Sequence, residues 1–244
     1  MAINLSQYSK IFVLTGAGIS ADSGLQTYRG SGGIWEEHEV ERYGSITAFN
    51  RSPADTWRLF GSLREPVLAA EPNAAHLALV QLEKHLSADQ KLLLVTQNVD
   101  GLHQRAGSKN VINLHGDIMY SKCSNSHCKL ARYRDQQGHL DRTPECPLCG
   151  SPIRPDIVLF GEDIPALSDG VIETFLQECD LFIAIGTSGT VYPASNFVSI
   201  AAYNGARTLL VNLQPMGTIN RAFQEEYLGK AQDILPQLFT ESLK

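Results

Sequence analysis

Five short apolar runs set the rhythm of the chain. Lys10–Thr15 leads into Gly16-Ala17-Gly18, and Lys91–Thr96 leads into Gln97-Asn98-Val99-Asp100-Gly101. Residues 111–114 end at His115-Gly116-Asp117, Leu181–Ile185 leads into Gly186-Thr187-Ser188-Gly189, and residues 208–211 end at Asn212. Nearly continuous apolar strands are what a parallel sheet buried on both faces requires. Between strands, Ala75, Ala78, Leu79, Leu82 and Leu86 recur at i, i+3, i+4 and i+7 spacing, one apolar stripe of a helix over 73–86. Asn73, after Pro72, suits its first capping position. Strands alternating with helices predict an α/β fold, a doubly wound parallel sheet built from βαβ units.

Residues 123–149 break this rhythm. The stretch is polar and aperiodic, and Pro144, Pro147 and the following Gly150 interrupt it. Too small to bury a core of its own, it needs a staple and reads as an insertion. Cys123 and Cys128 are separated by four residues, Cys146 and Cys149 by two, and seventeen residues lie between the pairs. Two such pairs can converge on one tetrahedral zinc, and four thiolates leave no open position for water, which predicts a structural ion. His127 lies beside Cys128, but four sulfurs already fill the shell. Zinc ribbons also bind nucleic acid. For Lys122, Lys129, Arg132, Arg134 and Arg142, a solvated surface is the preferred explanation.

Composition narrows the classes. The 244 residues suit one large domain, or one domain with a small insertion. With 43% hydrophobic and 19% charged residues the chain is ordinary globular protein, and a net charge of −6 argues against charge-driven binding to nucleic acid or membrane. No apolar run approaches the roughly 20 residues that span a bilayer. The opening residues lack the basic and apolar regions of a signal peptide, so a reducing, cytoplasmic compartment is expected. Cys179, apart from the cluster, reads as a small buried hydrophobe.

Candidate chemistry gathers at the strand ends, where open α/β sheets bind ligands. Gly16-Ala17-Gly18-Ile19-Ser20-Ala21 fits the G-x-G-x-x-G/A dinucleotide pattern, with glycine for close approach to a pyrophosphate and a helix N-terminus beyond it. The acidic residue due about 20 positions on is represented only by Glu36, Glu37 and Glu39, after Ser31-Gly32-Gly33, so this is not an ordinary dehydrogenase half. His115 can serve acid–base chemistry near neutrality or be a satisfied structural residue, and His103 carries the same ambiguity. Gln97, Asn98 and Asp100 can orient an amide and a ribose or cap a turn.

Taken jointly, 16–24, Thr27-Tyr28-Arg29, Gln97-Asn98-Val99-Asp100, His115-Gly116, the cysteine module and Gly186-Thr187-Ser188 resemble the sirtuin family, NAD-dependent protein lysine deacylases. The match runs from about Lys10 to Pro236. The resemblance implies a Rossmann-like large part (about 1–30, 72–118 and 155–244) and a small part (about 31–71 with a zinc module at 119–154). NAD and an acyl-lysine peptide would meet between them. It implies NAD contacts at Gly16, Ala17, Gly18, Ser20, Tyr28 and Arg29. Gln97, Asn98 and Asp100 would lie at the nicotinamide and its ribose. Gly186, Thr187, Ser188, Asn212 and Ala231 would lie toward the adenosine end. Asn98 and His115 are implied as catalytic, His115 as the base that deprotonates a ribose hydroxyl after nicotinamide has left, giving free lysine and O-acyl-ADP-ribose. Val158, Phe160, Gly161 and Glu162 resemble the edge on which the substrate peptide adds as a strand.

The Trp57 helix and Val191-Tyr192-Pro193 resemble the branch that removes succinyl and malonyl groups. Its acyl-pocket Tyr and Arg align with Phe60 and Leu63, so carboxylate partners are missing and acetyl or longer apolar groups are expected instead. Arg64 lies next door and would restore a partner if the register shifted. Two other activities fit parts of the pattern: a mono-ADP-ribosyltransferase on the same fold, and a non-enzymatic module docking through its zinc knuckle.

Overall fold

The computed structural model describes residues 2–27, 42–167, 169–189, 191–216 and 220–240. Six strands form one parallel sheet: β1 (Lys10–Thr15), β2 (Lys91–Thr96), β3 (Val111–Asn113), β7 (Leu181–Ile185), β8 (Arg207–Asn212) and β9 (Glu225–Leu228), in the order β3-β2-β1-β7-β8-β9. Three more strands, β4 (Gly116–Cys123), β5 (Tyr133–Arg134) and β6 (Ile153–Ile157), form a small antiparallel sheet in the order β5-β4-β6.

The apolar runs become central strands because both faces of the large sheet are covered. Ile11 and Val13 of β1 point into one layer with Leu79, Leu82 and Leu235, from the helices Ala74–His85 and Ala231–Phe239. Phe12 and Leu14 point into the opposite layer with Ile172, Leu176 and Val198, from the helices Val171–Glu178 and Phe197–Tyr203. Phe12 also stacks on Phe182 of the adjacent β7, with centroids 5.3 Å apart. A third apolar cluster joins Phe49, Phe60, Val67, Ile118, Met119, Ile157 and Leu159, so the short helices Ile46–Arg51, Pro53–Gly61 and Arg64–Ala69 pack on the small sheet. No helix among the described residues is long and apolar enough to cross a membrane.

Strand order reverses between β1 and β7, which opens a crevice at their carboxyl ends. There the two glycine loops interlock. Gly16 N–H donates to Ile185 O at 2.9 Å and Gly18 N–H to Gly186 O at 2.8 Å. A β-carbon on Gly18 would lie 2.7 Å from Gly186 Cα. On Gly186, whose φ is +60°, it would lie 2.4 Å from Ile19 N. These glycines are therefore needed first for loop-to-loop contact. The expected helix N-terminus after Gly18 is also absent: Ala17–Ile19 and Ala21–Ser23 are single 3₁₀ turns, too short to sum much of a dipole.

β4, β5, β6 and β9 had no apolar signature to announce them. β9 (Glu-Glu-Tyr-Leu) is an edge strand with no fully buried residue, and β4 pairs with β6 across a register irregularity between Asp117 and Ser121. Gly186→Ala is expected to cost about 3 kcal/mol of stability in urea denaturation, from left-handed strain plus overpacking. An unchanged midpoint would show that the loops tolerate separation.

Candidate active site

The floor of the crevice is a buried polar cluster. Asn98 Nδ2 donates to Gly16 O at 3.2 Å and to Ser20 Oγ at 3.1 Å, and Ser20 Oγ donates to Asp100 Oδ2 at 2.7 Å. Burial pushes the Asp100 carboxyl upward, opposed by the Leu102 N–H and the Ser20 hydroxyl. Gln97 Nε2 donates to Thr187 Oγ1 at 3.1 Å, and Asn212 Nδ2 to Thr187 O at 3.4 Å. Gly229 N–H meets Asn212 O at 2.9 Å, two residues before Ala231 opens its helix. The structure thus brings Gly16, Ser20, Gln97, Asn98, Asp100, Gly186, Thr187 and Asn212 into one connected wall. Tyr28 and Arg29 lie outside the described residues.

His115 follows β3 and is half-buried. Its Nδ1 lies 2.9 Å from the Gln97 carbonyl oxygen, which can only accept, so Nδ1 carries the proton and Nε2 keeps its lone pair. Burial lowers its pKa below the ordinary value and the Gln97 bond partly opposes this. A neutral imidazole with a free Nε2 is the form a general base requires. His103 has the other fate: it is 1% exposed, with Nε2 2.9 Å from Thr15 Oγ1.

The four cysteine sulfurs all lie within 4.8 Å of one another, with Cys123–Cys149 and Cys128–Cys146 at 3.5 Å. A tetrahedron of thiolates about 2.3 Å from zinc has edges of roughly 3.8 Å, so this donor set fits one zinc ion with no open position. Trp57 packs against Cys123, Cys146 and Ile153, and its Nε1 donates to Ile153 O at 2.8 Å, anchoring the helix Pro53–Gly61 to the metal module.

Phe60 sits in the apolar cluster beside Leu159, with Leu63 and Val99 at its margin. Val99 belongs to the Gln97–Asp100 loop, so this cluster reaches the crevice. Arg64 does not. At 1% exposure it donates to Ile118 O (2.9 Å), Gln137 O (2.5 Å), Tyr120 O (3.2 Å) and Ser121 Oγ (2.9 Å), and pairs with Asp135 at 3.1 Å. Those five contacts use all five guanidinium N–H groups.

The expected peptide edge is more occupied than its sequence suggests. Val158 N–H donates to His115 O, Phe160 N–H to Gly44 O and Glu162 N–H to Leu159 O, while Phe160 O accepts from Ile46 N–H. Glu162 is bidentate to Arg154, at 2.6 and 2.7 Å, and accepts from Leu159 N–H at 2.8 Å. Burial alone would raise its pKa, but these partners hold it below the usual range. Its carboxylate is committed to shaping the turn through Gly161.

Sequence reasoning missed Thr15 and Thr96, which end β1 and β2 and pair in register, with their hydroxyls 2.8 Å apart. The signal was present: both runs close on threonine immediately before a polar loop. Arg154 was missed as well.

Against known proteins, residues 16–193 match the Sir2 family model. The chain belongs to the Sir2 family. It is 47% identical over 240 residues to the NAD-dependent protein deacylase SIR2rp3 of Leishmania major, covering 96% of this chain and 97% of that one. Among solved structures it resembles a Sir2 homolog–NAD complex, with TM-score 0.87 and 32% identity over 98% of this chain and 93% of that one. It also resembles a Sir2–p53 peptide–NAD⁺ complex, with TM-score 0.82 and 31% identity over 97% and 95% of the two chains.

Two outcomes follow. Cys146→Ser is expected to lower bound zinc from about one ion per chain, with loss of ordered structure in the module by circular dichroism. Full zinc and an unchanged spectrum would exclude a four-cysteine site. Separately, burial drives the His76 pKa to about 4, and burial with His76 nearby drives His103 to about 3. Below about pH 6.5 the unfolded chain binds two protons that the folded chain refuses, so stability is full above that pH and falls on acidification. The slope should reach up to roughly 2–3 kcal/mol per pH unit between pH 6 and 4. Urea titrations at several pH values check it, and a flat dependence would mean that the pair is hydrated.

Proposed function

We propose that this chain is an NAD-dependent protein lysine deacylase that prefers acetyl or apolar acyl groups to succinyl. The observation that carries the reading is His115: its Nδ1 is tied to a backbone carbonyl, its Nε2 has no hydrogen-bond partner among the described residues, and it lies beside a buried amide–hydroxyl–carboxylate cluster. NAD supplies a ribosyl group whose bond to nicotinamide breaks as the acyl oxygen takes its place. Gln97, Asn98 and Asp100 would orient the nicotinamide ribose, with Ser20 holding Asp100 and Asn98 together. Thr187, Ser188 and Asn212, near Ala231, would line the adenosine side. His115 Nε2 then accepts the proton of the ribose hydroxyl that captures the acyl group. The Val99, Phe60 and Leu63 side chains keep water from the reacting centre. Zinc takes no part in the chemistry, since its four thiolates fill the shell.

The acyl preference rests on charge. A succinyl carboxylate beside Phe60 and Leu63 would lose its hydration without gaining a partner, and Arg64 has no N–H to spare. The acyl-lysine peptide is proposed to run along 158–162, using the Val158 carbonyl and the Gly161 backbone, which have no backbone partner among the described residues. The two-part division, near 1–30, 72–118 and 155–244 against 31–71 and 119–154, is proposed with this crevice between the parts. A reducing cytoplasm would keep the thiolates able to bind metal.

The test is incubation with NAD and a panel of acyl-lysine peptides, with product masses measured. Nicotinamide, free lysine peptide and O-acyl-ADP-ribose are expected, with deacetylation faster than desuccinylation. The reverse order overturns the acyl preference, and a protein gaining ADP-ribose mass instead overturns the deacylase reading. His115→Ala should lower deacylation on the order of a hundredfold or more while NAD still binds. A wild-type rate would remove His115 from the mechanism.

A further inference from the structure

The proposed reaction leaves two buried histidines unused. His76 and His103 are 0% and 1% exposed, and their rings meet edge-to-face with centroids 4.9 Å apart. His76 Nδ1 accepts from Asn73 N–H at 3.3 Å, which places the His76 proton on Nε2. Neither His76 Nε2 nor His103 Nδ1 has a hydrogen-bond partner among the described residues. Burying two imidazoles this incompletely satisfied is costly, so their one strong outward contact needs explaining.

That contact begins a chain. His103 Nε2 lies 2.9 Å from Thr15 Oγ1, Thr15 Oγ1 lies 2.8 Å from Thr96 Oγ1, and Thr96 Oγ1 accepts from Asn98 N–H at 3.1 Å. The Asn98 N–H and the Gln97 carbonyl belong to one peptide plane, and in a trans peptide they point to opposite sides. Thr96 therefore holds one end of a rigid plate whose other end is the Gln97 oxygen, 2.9 Å from His115 Nδ1.

We propose that His103, acting through Thr15 and Thr96, is a positioning residue for His115: this hydroxyl chain sets the tilt of the 97–98 peptide and so aims the His115 imidazole. The inference rests on reading His115 as the base. His76, fixed by the helix cap at Asn73, buttresses the His103 ring from behind. Asn73 Nδ2 also donates to Ile19 O at 2.8 Å and Ser23 Oγ at 3.0 Å, so the same cap registers the glycine loop against this chain.

The test compares Thr15→Val, which keeps the shape and removes the hydroxyl, with Thr15→Ser, which keeps the hydroxyl. Nitrogen-edited NMR of the ligand-free protein reads the tautomer and titration midpoint of His115 directly. In Thr15→Val the midpoint is expected to fall by on the order of half a pH unit, because the Gln97 bond that raises it weakens. Thr15→Ser should hold the wild-type midpoint. In activity assays, kcat for deacylation should fall on the order of tenfold in Thr15→Val, with KM for NAD and nicotinamide exchange changed by about twofold or less. His103→Leu should shift His115 in the same direction, and combining it with Thr15→Val should add little. An unmoved His115 in Thr15→Val or His103→Leu, or a Thr15→Ser variant as impaired as Thr15→Val, overturns the proposal. If Thr15→Val does not fold, His103→Leu and Thr15→Ser decide by the same midpoint. An inactive wild-type protein would remove the deacylase reading, yet the NMR result would still stand or fall alone.

Discussion

The contact between the loops after β1 and β7 is the constraint from which the crevice is measured. Two strands in parallel register deliver Gly16 and Gly186 to the same level, and the loops then press together until only hydrogen fits at Gly18 and Gly186. Gly18 N–H is satisfied by Gly186 O, so the approach closes a hydrogen bond as well as a gap. A one-residue slip would turn every β1 side chain from its own packed layer into the opposite one, so packing on both faces fixes the register of β1 and β7 and holds the loops rigidly. Asn98 takes its bearing from Gly16 O, and Thr187 follows directly on Gly186.

Much of this was legible in sequence, and the reason is physical. Buried parallel strands need unbroken apolar runs, and all five such runs became strands of the large sheet, with ends displaced by a residue at most. The Asn73 cap and its helix followed from the same periodic logic. The four cysteines were readable because a tetrahedral ion demands their spacing and little else. What escaped was structure held by partners rather than by pattern. β9 is a half-covered edge, and β4 and β6 serve a small sheet whose alternation is broken by an irregular register. Arg64 was read as a possible ligand for an acyl carboxylate because its position was known and its neighbours were not. Five acceptors converging from β4 and from the residues just after β5 could not be inferred from a single letter.

The region around the small antiparallel sheet is organised by polar groups that a core would normally exclude. Arg64 bridges the Arg64–Ala69 helix to β4 and to Asp135, while its guanidinium lies 4.8 Å from the Trp57 ring centre. Trp57 in turn covers two of the metal-site cysteines. Such a centre adds little net stability over an apolar one, but its hydrogen bonds are directional, and they tolerate few alternative packings. Fixed direction is useful here: one turn along the same helix, Phe60 faces the apolar cluster that reaches Val99 in the crevice.

His115 shows why its partner is a carbonyl and not a carboxylate. An acidic partner on Nδ1 would favour the imidazolium and pull the titration upward, strengthening the base but leaving more of it already protonated near neutrality. The Gln97 oxygen orients the ring and fixes its tautomer at smaller electrostatic cost, and burial shifts the balance back toward the neutral form. Orientation and protonation are thereby controlled by separate means. The first depends on a peptide plane held at its far end by Thr96, and the second on how completely the crevice excludes water. The proposed base therefore depends on that plane staying fixed, which ties the aim of the imidazole to the threonines that close β1 and β2.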